Sequence, residues 1–232
     1  MEDIISKYYD NIKKDKNQRL KSWEHCYSQF SLMFKKDKLT DTDIDYLSLH
    51  LAFYLASWGM YRGSSFILQK DYKVFYPIIE LLFKNRDKFN DSKIKYLLNQ
   101  ENDDSIKKYV KDYFVFDAEL SKLLNEIRNS VKGETVTAVS DTLSTKIILG
   151  AYGSIPAYDR FLIDGMRASE DYDFTLSYSE NGVLKLLEFA KERRDELAQL
   201  KDEIYRTSGI TYPYMKLIDM YFWQRGYELE ED

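Results

Sequence analysis

The 232-residue sequence has one cysteine, two histidines, three prolines and nine glycines. Cys26 cannot form an intramolecular disulfide, and a cysteine-built zinc site is excluded. His25 and His50 leave little scope for a histidine-built metal centre, so neither metal nor cofactor is expected. So few glycines and prolines argue against a sheet-rich fold with many tight turns. The N-terminal "MEDIISKYYDNIKKDK" has no apolar signal core, and no apolar run reaches membrane-spanning length. These absences predict a soluble, cytoplasmic protein with no membrane partner. The net charge of −5 requires any nucleic-acid partner to be met by a local basic face.

What is present is globular: hydrophobic residues are 44% of the chain and charged residues 31%. Aromatics reach 16%, with 20 tyrosines, which supply core volume and also flat surfaces for stacking on a ligand. Helical periodicity dominates. Leu20, Trp23, Tyr27, Phe30 and Phe34 recur at spacings of three and four between residues 17 and 34. Thr40 or Thr42 is a plausible N-cap for a strongly apolar helix ending near Met60. Further helices are expected near 73–86, 92–99 and 104–129. A break follows at Gly133, with Thr/Val-rich residues after it. A loop with a turn at Asn181-Gly182 precedes a long helix from Val183 to Tyr205, with Val183, Leu187, Ala190, Leu197 and Ile204 inward and "KERRDE" outward. Pro213 opens a last helix through Trp223. The expectation is an all-α single unit over 1–232, with possible lobes at about 1–130 and 131–232.

Three stretches combine residue types suited to chemistry. In "KSWEHCY", Trp23 and Tyr27 share a helix face with Glu24 and His25 beside it. An aromatic pair in the core is the simpler reading, because sequence neighbours on a helix point in different directions. In "LASWGMYRGSSF", an apolar helix runs into Trp58, Gly59, Tyr61, Arg62, Gly63 and Ser64. One reading is a helix C-terminus, with a glycine in the left-handed region and Ser64 capping the next helix. The other is a polar cluster in which Arg62 and the serines meet a phosphate or a base edge.

The third stretch is "TKIILGAYGSIPAYDRFLIDGM", residues 145–166. An apolar run ends at Gly150 and Gly153, the chain turns at Pro156, and Tyr158, Asp159 and Arg160 begin another helical pattern. Asp159 as an N-cap contributes about 1 kcal/mol and needs no further purpose.

The order of apolar run, Gly153, Pro156 and Asp159 resembles the catalytic segment of the helix-hairpin-helix DNA glycosylases over about 25 residues. That resemblance implies a fold of two packed helical lobes, with Asp159 as the catalytic carboxylate. The family's glycine-rich, phosphate-gripping hairpin has no counterpart, since no glycine lies between Gly133 and Gly150. The position of the lysine that forms a Schiff base in bifunctional members falls near Thr142, so the resemblance implies a monofunctional enzyme. Taken whole, the chain is similar to prokaryotic antiviral glycosylases that remove glucosylated hydroxymethylcytosine from phage DNA. The implied partner is double-stranded DNA carrying modified bases. The implied base pocket comprises Trp58, Tyr61, Arg62 and Ser64, with Trp23 and Tyr158 behind them. Lys146, Arg160, Arg167 and the "KERR" surface are the expected phosphate contacts. The alternatives are a helical adaptor or sensor in which Asp159 only caps, and a phosphate-binding enzyme centred on Arg62. The latter lacks a Walker-type glycine-rich loop.

Overall fold

The computed structural model describes residues 1–132 and 139–231, and these contain eleven α-helices and no strand. The all-α expectation is met. The Gly133 break and the Thr/Val-rich residues after it fall at 133–138, outside the described residues.

Sequence chemistry sets most of the boundaries. Helix α1 (Glu2–Lys14), which the sequence pattern does not single out, buries Ile5, Tyr8, Tyr9 and Ile12. Helix α2 (Lys21–Met33) follows the predicted aromatic stripe. Helix α3 (Asp41–Ser57) opens on a capping box: Asp43 N donates to Thr40 Oγ1, and Thr40 N donates to Asp43 Oδ2. It closes at Trp58 with the paired bonds of a Schellman motif, Met60 N to Leu55 O and Gly59 N to Ala56 O. Gly59 supplies the left-handed residue that this motif needs, at φ 75°. Two 3-10 turns, Phe66–Gln69 and Tyr72–Phe75, lead into α4 (Tyr76–Asn85), and α5 (Asp91–Leu98) and α6 (Asp104–Lys132) follow.

Helix α7 (Asp141–Ala151) is buried along most of its length, and α8 (Arg160–Arg167) begins beyond a buried loop. The single long helix expected from Val183 is two: α9 (Glu180–Glu192) and α10 (Arg194–Ser208). Arg193 breaks it at φ −107°, ψ 17°, its guanidinium resting 3.8 Å from the Phe189 ring centroid. All five predicted inward residues are nonetheless buried. Asn181-Gly182 is the first turn of α9 rather than a loop, because the Ser179 hydroxyl accepts from Gly182 N. Helix α11 (Tyr214–Glu231) runs past Trp223.

Helix α11 packs against α8, α1, α5, α9 and α10, while α2 packs against both α3 and α7. The chain's two ends therefore lie together, and contacts of α2 and α3 with α7 and of α6 with α9 cross the expected lobe division near residue 130. The buried side chains form one core cluster. The closest crossing is α8 on α11, where a Cβ at Gly165 would lie 1.9 Å from Phe222 O, and one at Gly226 2.0 Å from Phe161 O. Among the described residues no helix is long and apolar enough to cross a membrane.

Candidate active site

The α7–α8 connection holds Asp159. Residues 153–158 are buried, so their backbone polar groups need partners inside the protein. Gly153, at φ 63°, turns the chain out of α7, and a Cβ there would meet Pro213 at 2.2 Å. The Ala157 amide donates to Asp219 Oδ1 at 3.0 Å and the Tyr158 amide to Thr145 Oγ1 at 2.9 Å. Thr142 Oγ1 donates to Tyr158 O at 2.8 Å and so clamps the loop to α7. Two side chains of α7 and one of α11 thus fix the residues that precede the acid.

Asp159 is the N-cap of α8: its Oδ1 accepts from Leu162 N at 3.1 Å. Its Oδ2 accepts from Lys146 Nζ at 2.8 Å. The lysine side chain is 4% exposed and the aspartate 15%, so the carboxylate keeps a narrow view of solvent. A second pair stands on α11, where Lys216 Nζ donates to Asp219 Oδ2 at 2.7 Å with both side chains almost fully enclosed. The two pairs line one closely packed crevice together with Tyr54, Trp58 and Trp223. Burial, followed by the Asp219 charge and more weakly that of Asp159, raises the Tyr8 and Tyr54 phenols well above the ordinary range.

The expected pocket residues separate. Trp58 lies in the crevice, with Lys146 Nζ 4.8 Å from its ring centroid. Trp23 is core: it stacks on Tyr27 at 5.0 Å and donates from Nε1 to Leu149 O, as the simpler reading of that stretch holds. Glu24 and His25 diverge, the acid buried against the Tyr212 hydroxyl and the histidine exposed. Tyr158 is directed away from the crevice, packing on Tyr178 at 5.0 Å. Tyr61 is half-buried outside the crevice lining, its phenol pushed up to about 12 by burial. Arg62 and Ser64 are exposed, and the cap before Phe66 is Ser65 rather than Ser64.

The expected phosphate contacts are also redistributed. Lys146 is enclosed against Asp159 and has no ammonium face free for DNA. Arg160 is paired with Glu230, and Arg167 with Asp164. On the "KERR" surface Lys191 pairs with Asp103, Arg193 with Glu192 and Arg194 with Asp195. Sequence reasoning missed Lys216 and Asp219. Their signal was legible: a lysine and an aspartate one turn apart in the otherwise apolar "YMKLIDMYFW". Among the described residues no group of three or more His, Cys, Asp or Glu side chains is placed to hold a metal ion.

Comparison of the chain with protein-family models, with curated proteins and with solved structures finds no match.

Proposed function

We propose that this chain is a monofunctional DNA glycosylase of the helix-hairpin-helix type, excising a modified cytosine from phage DNA in the cytoplasm as an antiviral defence. The observation that carries the reading is the Asp159 carboxylate: fixed at the N-terminus of α8, backed by buried Lys146, and partly open to solvent. Cleavage of an N-glycosidic bond builds positive charge on the deoxyribose as the base leaves. A fixed carboxylate near the anomeric carbon stabilises that charge or orients the attacking water. The helix N-terminus favours the negative charge and fixes its aim. Thr142 offers no amine for a Schiff base, and Lys146 is engaged by Asp159, which supports base removal without strand cleavage. The proposed substrate is duplex DNA containing glucosylated hydroxymethylcytosine, whose target nucleotide is extruded before reaction.

The test compares wild type with Asp159→Asn on glucosylated and unmodified DNA, followed by alkali to cut abasic sites. Alkali-dependent breaks made by the wild type alone, on modified DNA alone, are the expected result. Equal cleavage by Asp159→Asn, or none by either protein, sinks the reading.

A second reading, a non-enzymatic adaptor, is favoured by one separate observation. Tyr46, Leu49 and Phe53 of α3 are 40%, 51% and 61% exposed, and their spacing lays them along one helix face. In that reading Asp159 is a cap and nothing more.

A further inference from the structure

The outward face of α3 carries no charge. No Asp, Glu, Lys or Arg lies between Asp45 and Arg62, although charged residues are 31% of the chain. Thr42, Tyr46, Leu49, Phe53 and Ala56 are all exposed, and they follow one another at intervals of four, three, four and three. That alternation is the seam along which one helix packs on another. His50 lies beside the seam, its ring centroid 4.4 Å from that of Tyr46. Burial, and then the neighbouring His25, hold its imidazole below the ordinary value, so it is uncharged at pH 7. Among the described residues, the other large apolar side chains left exposed stand one to an element, and only α3 gathers three.

The seam is preformed. A capping box fixes the start of α3, a Schellman motif fixes its end, and Leu47, Leu51, Tyr54 and Leu55 root its inner side in the core. An occupant therefore meets a surface that loses little entropy on binding. A face without charge has nothing with which to select a partner of opposite sign. It does match itself. Leu49 is the middle of the five residues, with an aromatic on either side, Tyr46 and Phe53, and a small residue at either end, Thr42 and Ala56. A second copy turned about a two-fold axis at Leu49 runs antiparallel. Its Phe53 then meets Tyr46 and its Ala56 meets Thr42, and both contacts repeat in reverse, as an isologous interface requires. Covering these side chains hides on the order of 400 Å² in each copy, about half of what a standard interface buries, which suits a reversible dimer.

We infer that the outer face of α3 is the interface of a reversible homodimer, in which two copies pair antiparallel about Leu49. Tyr54 and Trp58, which line the crevice at Asp159, point to the other side of the helix. The inference is therefore independent of the proposed chemistry, and either can fail alone. Self-pairing accounts for the exposed side chains of α3 without a foreign partner, and so removes the support they give to the adaptor reading.

The test is sedimentation velocity of the full chain, without DNA, between about 1 μM and 1 mM. The average mass is expected to rise with concentration from 27.6 kDa towards twice that value. Leu49→Glu and Leu49→Lys should each weaken association about tenfold or more, because like charges then meet on the axis. An equimolar mixture of the two should recover the dimer, since opposite charges meet there instead. Phe53→Lys disrupts the seam at a second point. Tyr96→Glu, at an exposed aromatic on α5, should associate as wild type. Circular dichroism melts check that each variant is folded. A wild type that stays monomeric throughout overturns the inference and returns the face to a different partner. So do undiminished association in Phe53→Lys and both Leu49 variants, equal weakening in Tyr96→Glu, or no recovery in the mixture. Growth beyond a dimer also overturns it, because a two-fold interface closes on itself.

Discussion

The Lys146 ammonium meets the Asp159 carboxylate at 2.8 Å across the α7–α8 connection, with the lysine almost fully enclosed. One side chain of that pair caps a helix and the other has no other hydrogen-bond partner among the described residues. Their energetics are therefore asymmetric. Asp159→Asn keeps the shape of the cap but strands a buried ammonium, and should cost about 3 kcal/mol. Lys146→Met leaves the carboxylate its bond from Leu162 and some solvent, and should cost about 2 kcal/mol. The double variant should cost less than the sum, because both changes remove one interaction. Urea denaturation of the four proteins checks this. A negligible loss for Asp159→Asn, with additive behaviour, would reduce Asp159 to a cap, because asparagine caps a helix as well as aspartate does.

The crossing of α8 on α11 sets the position of that acid. Gly165→Ala would drive a methyl group to within 1.9 Å of Phe222 O, and backbone cannot yield as a side chain can. The expected cost is about 3 kcal/mol or more, with loss of any activity that depends on Asp159. Gly209→Ala is the comparison: φ is 72° there but nothing lies within 4 Å of the added carbon. That change should cost only the conformational penalty, about 1 kcal/mol. Equal thermal shifts for the two variants would show that the close crossing is not limiting.

Acid stability has a local source at the start of α3. Asp43 is held at about 2 by hydrogen bonds, first from Lys36 and then from the Thr40 amide and hydroxyl. A depressed carboxylate stabilises the fold above its unfolded value, near 3.9, and that contribution disappears as pH falls towards 2. The stability gap between wild type and Asp43→Asn should therefore be full at pH 7 and close between about pH 4 and pH 2. Thermal melts across that range check the sign. A gap that widened on acidification would show that Asp43 is not the group responsible.

Cys26 gives an independent probe of the core. It is fully enclosed, and burial raises its thiol far above the ordinary range, so little thiolate exists for reaction. A thiol reagent should label native protein only through opening, at a rate that rises with denaturant in step with unfolding. Rapid labelling in native buffer would contradict the packing of Cys26 beside Gly150 and Tyr54.

The helices were largely legible because their signals are local. Thr40 and Asp43 sit three apart at a helix start, Pro213 precedes α11, and the inward positions of α9 and α10 recur at helical spacing. The break at Arg193 was not, because the apolar periodicity continues through it and only the backbone angles change. For Asp159, "SIPAYDRFL" was enough to place an acid at the start of α8, since capping is a matter of three residues.

The company kept by that acid was decided by tertiary structure. Lys146 reads as a surface cation until α7 is seen to be buried along nearly its whole length, which leaves its ammonium no water and one carboxylate. Tyr158 and Trp58 read alike as pocket aromatics, yet one packs on Tyr178 and the other enters the crevice, according to which helices lie beside them. Asp219 is 60 residues from Asp159 and clamps its loop only because α11 crosses α8 at glycine contact distance. Sequence alone thus determined the helical class, most helix boundaries and the cap at Asp159, each set by interactions within a few residues. The tertiary fold determined which charges are enclosed, which are paired and which aromatic meets them, because burial and Coulomb contact depend on the packing of helices far apart in the chain.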